Sequence, residues 1–158
     1  MANRGIALTT AGVTIAYAVE SAADTRPTTG YTVIHDIKEI PDFNPEPESL
    51  ETTDLEVTGY KTYTEGLKDV GGALGFLANF TNELQDAWAE LVEANETAEA
   101  SGLRTWFEIK HPKLDESVFF TGKPSKMGLP SMSVNSVLET TVYITPTGEP
   151  QWETKTTD

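Results

Sequence analysis

Two histidines, His35 and His111, and 25 acidic side chains are the groups of this chain suited to moving protons; there is no cysteine. The missing thiols exclude disulfides, thiolate metal sites and a cysteine nucleophile. A histidine that serves a serine nucleophile needs no fixed spacing, because triads assemble in space. No serine, however, stands in the G-x-S-x-G turn that would present it. Both histidines read as partly exposed strand residues: His111 precedes Pro112 at a strand end, and His35 lies in a mixed strand. Glu46, Glu48, Glu51, Asp54 and Glu56 are dense enough to suggest Ca²⁺, yet they lack the offsets and the glycine of a calcium loop. Gly71 and Gly72 lack the GxxxxGK[ST] spacing of a phosphate loop and read as a tight backbone turn. Asn79-Phe80-Thr81 and Asn95-Glu96-Thr97 match the glycosylation sequon, a pattern short enough to arise by chance. Trp88 and Trp106 read as core or interface anchors rather than sugar platforms. The expectation is a chain with no catalytic residue, no cofactor and no built metal site.

The elements that position these residues belong to one domain's worth of chain. Its 158 residues suffice for a core without covalent staples. With 25 acids against 11 bases the net charge is -14. Such a surface repels phosphate backbones and anionic lipid. A nucleic-acid grip and membrane docking are therefore not expected, although nucleic acid is free to pass close by. No run approaches the ~18 apolar residues of a membrane span. Near the N-terminus, Arg4 precedes a fairly apolar stretch and Ala16-Tyr17-Ala18 fits a small-x-small cleavage pattern. Threonines and Gly12 interrupt that stretch, and from Val13 it alternates with period two. A first strand is the better reading.

Further β-formers occupy 31–40, up to Pro41. Residues 41–72 then carry prolines, charges and no sustained period. From Asp36 to Asp69 there are ten acids and three lysines, a net of -7, half the total in about a fifth of the length. A structureless stretch this long is usually functional or disordered. Phe43, Leu50, Leu55, Val57, Tyr60, Tyr63 and Leu67 lie inside it, so we read it as an arm that docks on something, with Gly71-Gly72 as its return turn. Residues 73–80 read as a strand. Leu84, Ala87, Trp88, Leu91 and Val92 recur at helical spacing and predict a helix over about 82–96, capped by Thr81 or Asn82, with Asn82 and Gln85 resembling a capping box. Strands follow at 103–110, with Thr105, Phe107 and Ile109 alternating against Arg104, Trp106 and Glu108, at 117–123, and at 134–145. Residues 1–150 form the expected single domain, and 151–158 a polar tail that frays, with Trp152 its one sticky side chain. The fold class is mainly β, a sandwich or small barrel with one flanking helix.

Three segments resemble the major tail tube proteins of long-tailed (siphovirus-type) bacteriophages. They are Leu50–Thr53 running to Gly66–Leu74, Phe120–Pro124 with Gly128–Pro130, and Val134–Val137 running to Tyr143–Pro150. The resemblance implies a β-sandwich flanked by a helix, in six-fold rings whose inner strands line a continuous channel. The rings stack into a tube, and a long loop, here 41–72, reaches between rings. The implied partners are further copies of the chain and other tail proteins: tape measure, tail terminator and distal tail protein. DNA passes through without specific binding on its way into the host, no membrane partner is implied, and the implied location is the virion tail, assembled in the host cytoplasm. Lys61 and Lys68 are the arm's own candidates to offset its negative charge. Two other readings compete: a monomeric carbohydrate-binding β-sandwich module, and a small hydrolase built on His35 or His111.

Overall fold

The computed structural model describes residues 7–43, 47–56, 58–68 and 72–156. Its strands are β1 (Thr14–Val19), β2 (Thr32–Ile34), β3 (Ile37–Glu39), β4 (Pro47–Glu51), β5 (Tyr63–Lys68) and β6 (Leu74–Asn79). After the helix α1 (Asn82–Ala100) come β7 (Thr105–Lys110), β8 (Glu116–Pro124), β9 (Glu139–Pro146) and β10 (Gln151–Thr154). The main sheet is antiparallel in the order β2-β1-β7-β8-β9-β6-β3, with β10 added along β8. It curls into a nearly closed barrel with the single helix against it. Its two end strands, β2 and β3, are neighbours in sequence, separated only by His35 and Asp36. Residues 31–40, expected as one strand, therefore break at a corner. Asp36 turns it with a φ of +69°, a region the short acid tolerates better than most side chains. Its carbonyl accepts the Asn79 N–H at 2.9 Å.

The curl depends on β8, which divides its partners. Residues up to Thr121 face β7 and β10, and Gly122–Pro124 pair with β9. Gly122 sits where the strand changes allegiance, and a Cβ there would come within 2.7 Å of Ile144 Cγ2. The inner face gathers Ile15, Phe76, Phe107, Phe120, Val142 and Ile144 around Leu84, Trp88 and Leu91 of the helix. Phe107 and Phe120 stack at 5.4 Å.

The helix begins one residue earlier than an Asn82–Gln85 box would have it. Thr81 is the N-cap: its hydroxyl accepts the Leu84 N–H at 3.1 Å and donates to Asp36 at 2.7 Å. At the far end the helix continues past 96 to Ala100, and Gly102 ends it. Gly102 N–H reaches Glu99 O and Leu103 N–H reaches Ala98 O, with Gly102 at φ +74°. These bonds make the glycine-terminated cap that satisfies the last carbonyls.

In β7 residues of both faces are buried, Trp106 and Glu108 as well as Phe107. Its second face is roofed by the chain itself: Arg26 lies 4.2 Å over the Phe119 ring and Tyr31 meets it edge-on. The tail expected to fray instead supplies β10. Just beyond it, Thr156 donates its N–H and hydroxyl to Glu108 at 3.1 and 2.6 Å.

Candidate assembly surfaces

The hairpin formed by β4 and β5 lies off the barrel, and among the described residues these strands pair only with each other. Every residue of β4 is exposed. Within the stretch 41–72, read as lacking regular structure, β4 and β5 thus form a paired ribbon. Its pairing continues past the strands through Thr52 N–H to Thr62 O at 2.8 Å and the Thr52–Thr62 hydroxyl pair at 3.0 Å. At the tip the Glu56 N–H bonds Asp54 Oδ1 at 3.0 Å, a local turn of the kind aspartate favours. Gly66 lets the strands close: a Cβ there would meet Glu48 O and Leu50 Cγ at 3.2 Å.

Most of the arm residues named from sequence point outward. Leu55 is fully exposed, Tyr60 is 92% exposed, and Leu50 and Tyr63 also face solvent. Lys61 lies 4.0 Å from Glu51, both largely exposed, a pair of little energetic weight. Leu67 and Lys68 contribute backbone to β5. Phe43 behaves differently, docking at the root of the arm edge-on to Phe120 at 4.9 Å, against the subunit's own core. Gly72 has a φ of +84°, the left-handed conformation a return turn needs. Val57, Gly71 and Glu46 lie outside the described residues.

A second exposed apolar surface lies on the segment that follows β8. Residues 125–138 form no helix or strand, and β9 starts at Glu139 rather than at 134. Leu129 and Val134 are 81% and 89% exposed, and Met132 and Val137 are exposed beside them. Asn135 turns the segment at φ +62°. Its ends are fixed by Ser125 N–H to Tyr143 O and Phe80 N–H to Leu138 O. The Trp88 indole N–H also holds it, donating to Ser125 O at 2.7 Å. The signal was present in the density of apolar residues between Leu129 and Leu138.

His111 Nε2 donates to Thr9 O at 2.6 Å while Nδ1 accepts the Lys113 N–H. His35 is exposed at the barrel corner. Among the described residues no three acidic or histidine side chains converge as metal ligands. Asn95 is buried and accepts the Thr105 hydroxyl, which removes it as a sugar acceptor. The buried carboxylate of Glu20 receives Arg104 Nε and Nη2, the Arg104 backbone N–H and Trp106 Nε1, all between 2.8 and 3.3 Å. Burial pushes this carboxyl up, but the Arg104 and Trp106 hydrogen bonds outweigh it and hold it below the ordinary glutamate value. Burial also pushes the Tyr31 phenol up to about 12. Trp88 and Trp106 are both buried and hydrogen-bonded, while Trp152 is exposed on β10.

Solved structures share this fold. One is a chain in the cryo-EM structure of the anti-feeding prophage (AFP) baseplate, 6-fold symmetrised, with a TM-score of 0.59, 9% identity and 98% of each chain covered. Another is a chain in the structure of the AFP cap, its tube terminating cap, with a TM-score of 0.58, 10% identity, and 98% of this chain and 95% of that chain covered. At such identities the likeness is one of fold. No protein-family model matches the sequence, and no curated protein does.

Proposed function

We propose that the chain is a structural protein of a phage tail and, within it, the tube subunit. Copies close into six-membered rings, the rings stack, and the resulting channel carries DNA into the host. The observation that carries this reading is the hairpin: an ordered ribbon, exposed on the apolar side chains Leu50, Leu55, Tyr60 and Tyr63, on a barrel that roofs its own sheet. An isolated two-stranded ribbon is marginal in water, so this one is built to be completed by contact with another surface. The fold neighbours, drawn from a baseplate solved with six-fold symmetry and from a tube cap, support a tail structural role. The resemblance of three segments to tail tube proteins supports the tube in particular. The role asks for no catalysis and no cofactor. Its partners are copies of the chain, which must meet head to tail to stack, and the tail proteins at the ends and centre of the tube. The mature location is the virion tail, after assembly in the host cytoplasm.

Negative-stain microscopy beside light scattering tests this directly. Tubes, or rings with six-fold class averages, are the expected result. A variant with residues 47–68 replaced by a short Gly-Ser linker is expected to retain the barrel's circular dichroism and to lose stacking. Monodisperse single subunits at high concentration overturn the proposal.

A further inference from the structure

The helix and the segment that follows β8 enclose a groove of about 510 Å³. Its apolar lining comes from Phe80 and the helix residues Trp88 and Val92, and from Met127 and Leu129 of the following segment. The Trp88–Ser125 hydrogen bond fixes the spacing of the two sides. The rim is divided by charge: Glu93 and Glu96 stand on the helix side and Lys126 on the other. The tip of the β4–β5 hairpin is divided in the complementary sense. Asp54 and Glu56 lie on one limb and Lys61 on the other, flanking the exposed Leu55 and Tyr60.

We propose that this groove is the receptor for the hairpin tip of a second copy of the chain. Leu55 and Tyr60 enter the apolar floor, Lys61 faces Glu93 and Glu96, and Lys126 faces Asp54 and Glu56. Apolar anchors in a pocket supply the affinity, and the divided charges fix which way round the ribbon enters, because reversal sets like charges together. The Lys61–Glu51 pair within the free hairpin is long and exposed, so it offers little resistance to the exchange. This inference rests on the tube reading and adds the place where one subunit holds the next.

The chain has no cysteine, so engineered thiols report cleanly. The double variant Leu55→Cys with Leu129→Cys is assembled, oxidised and run on a denaturing gel without reductant, beside each single variant. Docking between copies predicts a ladder of covalent multimers in the double variant, lost on reduction, and nothing beyond dimers in the singles. Tubes or rings seen by microscopy without a ladder overturn the groove as receptor and leave the tube reading standing. A fast-migrating monomer with an internal disulfide overturns it too, since the groove then takes its own hairpin. A chain that never assembles overturns both.

Discussion

The barrel and its hairpin are made from the same chain by opposite rules. In the barrel, residues of both faces of β7 are buried, and two acids are enclosed: Glu20 is held by Arg104 and Trp106, and Glu108 by Thr156. In the hairpin every residue of β4 is exposed and the pairing rests on backbone bonds and threonine hydroxyls. The barrel's stability is settled within the subunit, through apolar burial. The hairpin's β4 buries none of its residues and draws on no such reserve.

The hardest blow to that division falls on the barrel. Phe107→Ala, at a side chain with no exposure that stacks on Phe120, is expected to cost about 3–5 kcal/mol of unfolding free energy. Urea denaturation followed by tryptophan fluorescence measures it, and a loss comparable to that of a surface substitution would mean that the core is not where the stability resides. Glu20→Gln comes next, at about 1–3 kcal/mol near neutral pH, because bonds from a cation and an indole then meet an uncharged amide. The folded carboxyl is held below its ordinary value, so its contribution is complete above the unfolded value of about 4.3. It is lost as the pH falls through the lower folded value. The gap between wild type and Glu20→Gln in urea midpoint is therefore expected to close on acidification, and a gap that widens in acid would refute the sign. The smallest effect on folding sharpens the contrast most. Leu55→Ser with Tyr60→Ser should leave unfolding within about 0.5 kcal/mol of wild type, while light scattering shows assembly lost. Unchanged assembly would return the hairpin to ordinary surface.

The helix and most barrel strands were legible because their apolar residues keep a period. Leu84, Trp88 and Leu91 announce a helix, and Phe76 and Ala78 a half-buried strand. The full burial of β7 was hidden, because Glu108 looks like a solvent residue until Thr156 reaches it from 48 positions away. The hairpin was hidden for the converse reason. With both sides wet it has no alternation to read, so only its content of stranded leucines and tyrosines marked it as an arm. Phe43 shows the limit of that inference: the same composition argument placed it among the arm's contacts, and its own core claims it. The strand read from 134 to 145 begins only at Glu139, because Asn135, at a φ of +62°, turns the chain before it.

The corner at His35 and Asp36 bears on how the main sheet's ends meet their surroundings. With β2 and β3 joined there and only three residues long each, these two ends of the main sheet offer a stray neighbour little ribbon to latch onto. Edges that short are among the ways proteins avoid uncontrolled fibre growth. A second copy meeting the sheet at this corner therefore finds little backbone to extend.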